Sequence, residues 1–310
     1  MKRQAGIALA ITVPLAVAAL LGWQLTKPAA PARARVTVCQ AGCHYVGAAI
    51  SFMNQDHLNA FEQATGLTPG IVENYQAFGQ PFPSFWAGTL LAQGILPLIQ
   101  LQPGRVTPGA IAAGRYDSYL RQYAAAVRAL SAPVGLSFGH EMNGSWYSWG
   151  YGHVPPGVFV AAWRHIHQVF AAVGVRKVIW VWTVVRKTPG DPRVDPALRP
   201  WWPGGAYVDW VGLDIYYFSP KVTFRREFVP TITAVRRFTD DPILLTETAV
   251  PDQSGQVRQI ADLFAGARAS GLLGVIWYNQ DGRHTWQLDK SRRAAIAAFR
   301  RGAAMMRASR

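Results

Sequence analysis

The sequence predicts a (β/α)8 TIM barrel, an α/β fold. Three observations lead there. Eight short apolar runs recur along the chain, amphipathic segments lie between them, and eight such units fill about 270 residues after an N-terminal lead-in. The runs are residues 45–50, 70–75, 95–101, 134–138, 178–183, 208–216, 243–247 and 274–278. They carry Val, Ile, Leu and aromatic side chains with little alternation, as strands buried on both faces do. The helical segments include residues 110–130, 156–173, 224–238 and 256–270, with a last helix over 291–306. No Gly-rich dinucleotide fingerprint follows the first run, which disfavours an open doubly wound sheet. Residues 186–205, with several prolines and Trp201-Trp202, read as a long loop after strand five on the same barrel end as the chemistry described below.

Two regions are expected, a lead-in over residues 1–34 and a barrel over 35–310. Lys2 and Arg3 precede an apolar stretch from Ala5 to Gly22, and a Pro/Ala segment follows. This is the pattern of a secretory signal or of a single-pass anchor, and both remain open. Either places the body outside the cytoplasm, secreted or anchored at the membrane, with the positive flank inside. Cys39 and Cys43 are the chain's two cysteines. In an oxidising compartment they can close a local disulfide, and otherwise they are two free thiols. A zinc site lacks ligands, since His44 is the only neighbouring third candidate.

The formal net charge is +14, and half of the residues are apolar. That apolar fraction suits a large core and excludes a disordered chain. The arginine pairs at 225–226, 236–237, 292–293 and 300–301 read as solvated surface. Nothing in the sequence resembles a nucleic-acid-binding motif. The expected partner is a polysaccharide substrate, and the body is expected to be monomeric. Twelve tryptophans are many for 310 residues. Indoles serve both as core and as flat apolar faces for sugar rings.

The densest chemistry lies at Phe138-Gly139-His140-Glu141-Met142-Asn143-Gly144-Ser145-Trp146-Tyr147-Ser148-Trp149-Gly150, just after strand four. A carboxyl group, an imidazole and two indoles at a strand end fit a site that protonates a glycosidic oxygen. Glycoside cleavage by the common route takes two carboxyl groups. Barrel chemistry sits at the C-terminal strand ends, so the partner is sought there. Strand seven ends Leu244-Leu245-Thr246-Glu247-Thr248, and Glu247 supplies the second carboxylate.

This pair resembles the large clan of retaining (β/α)8 glycoside hydrolases. His140-Glu141-Met142-Asn143-Gly144 with Trp146 and Trp149 resembles glycoside hydrolase family 26 more narrowly, because most of the clan has Asn before the acid/base. That family holds β-mannanases and some glucanases and xylanases. The resemblance implies Glu141 as general acid/base and Glu247 as nucleophile, with His140 orienting the acid/base or touching the sugar. It also implies a tyrosine on the nucleophile, Tyr216 or its neighbour Tyr217, an aromatic floor at Trp277, and Trp146 lining the site. Asn143 and Trp149 are further substrate-site candidates, and Asn143 is a candidate hydrogen-bond partner of Glu247. Mannan-cleaving members place a histidine on an early strand, whereas strand two here ends Val72-Glu73-Asn74-Tyr75-Gln76. The two-carboxylate route needs no cofactor and no metal. The implied activity is retaining endo-β-glycosidase action on a β-1,4-linked polysaccharide, mannan-type first. The competing expectations are an enzyme that trims or transfers the organism's own exopolysaccharide, and a non-catalytic glycan-binding barrel.

Overall fold

The computed structural model describes residue 38 and residues 44–186, 190–280 and 285–308. The proposed leader or anchor and the Cys39/Cys43 pair lie outside the described residues. Among those described, no helix is long and apolar enough to cross a membrane.

Eight parallel strands close into a barrel in sequence order. They are β1 (Tyr45–Ala49), β2 (Ile71–Ala77), β3 (Leu96–Gln102), β4 (Val134–Phe138), β5 (Val178–Val185), β6 (Trp210–Asp214), β7 (Ile243–Thr248) and β8 (Gly274–Tyr278). The helices are α1 (Gln55–Thr65), α2 (Ser84–Ala92), α3 (Pro108–Ala112), α4 (Asp117–Ala129), α5 (Pro156–Val173), α6 (Phe224–Glu227), α7 (Val229–Val235), α8 (Gln256–Ala269) and α9 (Arg293–Arg307). All eight expected strands are present.

Two expected helices are broken, each for a local reason. The segment 110–130 divides into α3 and α4 because Gly114 turns the chain at a φ of 74°. The segment 224–238 divides at Phe228, where α7 starts with Pro230 in its first turn, a position that needs no backbone donor. His165 and His167 on α5 are half-buried. His165 Nε2 lies 2.6 Å from Asp117 Oδ1, and the His167 ring packs on Trp180 and Tyr207.

Side-chain parity decides what each strand offers. Tyr45, Ala49, Ile71, Leu96, Leu98, Ile179, Val181, Trp210, Leu244 and Ile276 form one apolar cluster without any helical residue. This is the filled lower barrel. The alternate positions, including Val72, Ile99, Leu136, Trp182, Leu213, Leu245 and Trp277, pack outward with the helices. Moving up each strand on the inward parity, the apolar fill gives way to Glu73, Gln100, Ser137, Thr183, Asp214 and Thr246, all fully buried. A polar layer therefore sits on an apolar plug, directly under the barrel mouth.

Strand β7 carries one extra residue relative to both neighbours. Leu213 pairs with Leu245 and Asp214 with Glu247, while Leu245 pairs with Val275 and Thr248 with Trp277. A bulge re-aims side chains locally. Here it lets consecutive residues serve the interior: Thr246 Oγ1 donates to Asp214 Oδ1 at 2.6 Å, and Glu247 meets tyrosines from β2 and from beyond β6.

Candidate active site

The turn after β4 presents Glu141. Gly139 and Glu141 both adopt left-handed backbone, with φ of 57° and 53°. A Cβ at Gly139 would lie 2.9 Å from the Phe159 ring, so glycine is required there on two counts. For Glu141 the left-handed conformation is strained, on the order of 1 kcal/mol or more. The surroundings hold it: the Glu141 N–H donates to Thr183 O at 3.0 Å, and its carbonyl accepts from the Gly144 N–H at 2.8 Å. The loop after β5 braces the same turn. Ser145 N–H donates to Arg193 O, Asp195 N–H donates to Asn143 O, and Gly144 bridges Val194.

Glu141 is half-buried in a cleft of about 320 Å3 lined also by Trp146, Arg186, Asp214, Tyr216 and Phe218. Trp146 Nε1–H donates to Glu141 Oε2 at 2.6 Å, and the indole remains 44% exposed to the cleft. Burial and the nearby Glu247 push the Glu141 carboxyl up to about 8, against the pull of the Trp146 hydrogen bond. It is a carboxylic acid at neutral pH.

Glu247 is buried and clamped. Tyr75 Oη donates to Oε1 and Tyr216 Oη donates to Oε2. Burial raises this carboxyl as well, but both phenol hydrogen bonds oppose the shift. Two donors on one carboxylate favour its charged form. One oxygen each from Glu141, Asp214 and Glu247 lies within 4.8 Å of the others. That closeness matches the ~5–5.5 Å of a double-displacement pair and not the ~6.5–9.5 Å that leaves room for a water. The same three oxygens have the spacing of a cation cradle. A cation there would compete with the hydrogen bonds from Trp146, Tyr75 and Tyr216.

Two further acids lie in the polar layer below. Glu73 Oε1 accepts from Gln100 Nε2, and Glu73 and Asp214 are both held well above the usual carboxylate range by burial first and by the Glu247 charge second. Their second oxygens, Glu73 Oε2 and Asp214 Oδ2, have no hydrogen-bond partner among the described residues. Protonated acids at these positions leave Glu247 as the charged member of the group.

Several sequence expectations need correction. Trp277 is not the floor of the cleft. It is 0% exposed, on the outward parity of β8, and packs edge-on against Phe299 of α9 at 5.5 Å. Its Nε1–H donates to Trp286 O at 2.9 Å, so it supports the loop that carries Trp286. The aromatic rings beside Tyr216 are Trp286 at 5.0 Å, Phe218 at 5.5 Å and Tyr278 at 5.8 Å. Asn143 reaches neither sugar nor Glu247; its amide bonds Val185 O and the Val185 N–H, locking the turn to β5. Trp149 is buried, stacks on Tyr147 at 4.2 Å and donates to His140 O. His140 is 1% exposed and packs between Tyr75 and Tyr147, which leaves no ring surface for a sugar. Burial lowers its pKa to about 3, so the ring is neutral. Tyr217 is not the nucleophile's partner, because its Oη donates to Asp262 behind the barrel.

Tyr75 was not found by sequence reasoning. Its signal was present: Glu73 and Tyr75 alternate on strand two, so a phenol was due at the mouth on the inward parity.

Comparisons with known proteins agree with this geometry. The profile of "Glycosyl hydrolase family 26" matches residues 113–248. "Endoglucanase H" of Acetivibrio thermocellus is 24% identical over 263 residues, covering 80% of this chain and 29% of that protein. "Beta-1,3-xylanase TXYA" of a Vibrio species is 30% identical over 112 residues, covering 36% and 22%. The chain thus spans less than a third of the length of these relatives. The catalytic domain of the Bacillus sp. JAMB-750 "GH26 Endo-beta-1,4-mannanase" superposes with a TM-score of 0.68 at 14% identity, covering 86% of this chain and 88% of that one. The matched profile spans the strand-four motif and Glu247, and over that stretch the chain is similar to glycosyl hydrolase family 26 on a closed eight-stranded barrel.

Proposed function

We propose that the protein is a retaining endo-β-glycosidase acting on a β-1,4-linked polysaccharide, with a mannan-type backbone as the first candidate. The observation that carries this is the Glu141/Glu247 pair, with oxygens within 4.8 Å and opposite surroundings. The Glu247 carboxylate attacks the anomeric carbon as the protonated Glu141 gives its proton to the departing glycosidic oxygen. A glycosyl ester on Glu247 results. Glu141, now a carboxylate, takes a proton from water, whose oxygen attacks the same carbon and releases Glu247. Tyr75 and Tyr216 stabilise the Glu247 carboxylate when it is free. Trp146 orients Glu141 and offers an apolar face, and Tyr278 and Trp286 flank the opposite side.

The relatives' names cover glucan, xylan and mannan chemistry, so the backbone sugar is the open variable. Mannan stands first on family grounds, although β2 offers Tyr75 rather than a histidine at the mouth. The lead-in supports action outside the cytoplasm, in secreted or anchored form. The test is a panel of soluble mannan, mixed-linkage glucan and xylan, read by reducing-end release. Turnover of at least one backbone, lost in both Glu141→Ala and Glu247→Ala, is expected. Full activity in either variant contradicts the assignment. Binding without turnover on every backbone favours the non-catalytic barrel.

A further inference from the structure

Two phenylalanines at the barrel mouth stand apart from every other apolar side chain in the described residues. Phe52, just after β1, is 92% exposed, and Phe85, at the start of α2, is 90% exposed. A phenyl ring is ordinarily stabilised by burial, so the fold forgoes a substantial stabilisation at both. Phe52 and Met53 also hold consecutive left-handed φ values of 57° and 50°, which is costly for side chains of this size.

The pair is held in place by a buried hydrogen-bond chain. Trp86 Nε1, next to Phe85, donates to Asn74 Oδ1 at 2.6 Å, and Asn74 Nδ2 donates to Ile50 O at 2.6 Å, two residues before Phe52. Asn74 is fully buried on β2 and immediately precedes Tyr75, which holds Glu247. On the other side, Ser51 Oγ donates to Gln280 Oε1 at 2.8 Å, tying the β1 loop to the β8 loop beyond Tyr278. The rim that carries both rings is therefore continuous with the nucleophile's side of the cleft. Ser51, Asn54, Gln55 and Ser84 adjoin the two phenylalanines in sequence, so each ring has polar neighbours beside it, which suits a ligand that offers both C–H faces and hydroxyls.

We propose that Phe52 and Phe85 form a sugar-stacking platform on which the glycan chain continues beyond the catalytic pair. It rests on the glycosidase reading of the Glu141/Glu247 site and adds binding positions to it. Trp146 and Phe218 then line the far side of the mouth, and the chain lies across the barrel from one rim to the other. An endo-acting enzyme gains affinity from such distant contacts, and they favour long substrates over short ones.

The test compares the full chain with Phe52→Ala, Phe85→Ala and the double variant. The readout is the ratio of kcat/KM on a β-1,4-linked hexasaccharide to that on an aryl β-disaccharide of the same sugar. The ratio is expected to fall about tenfold in the double variant, the factor given by ~1.4 kcal/mol, and to be restored by Phe52→Trp with Phe85→Trp. A ratio equal to wild type, or an equal loss on both substrates, overturns the platform. So does retention on anionic lipid vesicles that both alanines abolish while the ratio stands, which would assign the rings to a membrane. The parent reading fails separately, by wild-type protein that cleaves neither substrate. In that case, slowed migration in polysaccharide-containing gels, lost in the double alanine variant, still decides the platform.

Discussion

The two carboxyl groups proposed for catalysis are built in opposite ways. Glu141 sits half-buried on a strained left-handed turn and takes one hydrogen bond, from an indole. Glu247 sits buried on a bulged strand and takes two, from phenols of β2 and of the segment after β6. Both are raised by burial, so burial does not separate their roles. The number of donors does. One donor leaves Glu141 a proton carrier with a pKa of about 8, while two donors bias Glu247 toward the carboxylate.

This contrast is breakable in five ways, from large to small. Glu247→Ala is expected to cut kcat/KM by about 10⁴-fold or more on every substrate, because no covalent step remains. Glu141→Ala should cost about 10²–10⁴-fold on polysaccharide but far less on an aryl glycoside, whose leaving group needs no proton. Equal losses on both substrates would break the division of roles.

Tyr75→Phe and Tyr216→Phe come next. Each removes one charge-assisted donor and should lower kcat/KM by about 10–100-fold. Each should also move the acid limb of the pH profile to higher pH, since the lost hydrogen bond was lowering the Glu247 pKa. An unmoved limb would demote the tyrosines to packing. Trp146→Phe acts on the other carboxyl with the same sign. Losing a donor that lowers the Glu141 pKa moves the alkaline limb, set near pH 8, further up, with a loss of about two- to tenfold.

The smallest effect is on stability. Glu73 keeps its proton in the fold while the unfolded chain releases it above its ordinary value near 4.5. Stability therefore falls as pH rises from that value towards the raised one. Glu73→Gln should flatten the decline of Tm as the pH rises above the ordinary glutamate value, measured by thermal scanning. Parallel curves for wild type and variant would show that Glu73 is ionised in the fold.

The barrel was legible because its strands are near-continuous apolar runs at regular spacing. The same feature hid side-chain parity. In a run such as Val275-Ile276-Trp277-Tyr278 no polar alternation marks which residue faces in, so the sequence points to Trp277 as the floor, whereas Tyr278 faces the mouth. Counting parity back from Ile276 in the barrel fill resolves it. Glu141 and Glu247 were legible because each follows an apolar run directly. Asn143, Trp149 and His140 lie close to Glu141 in sequence, yet the tight turn directs them away from the cleft. Tyr75 and the bulge at Glu247 depend on pairing between strands, which single-strand composition does not carry.

The most direct test of the double-displacement account is the anomeric configuration of the first product. Proton NMR of the purified protein acting on its preferred oligosaccharide should show the β-anomer appearing first and mutarotating later to the equilibrium mixture. First appearance of the α-anomer would contradict the account, because it requires water, not Glu247, to attack the anomeric carbon.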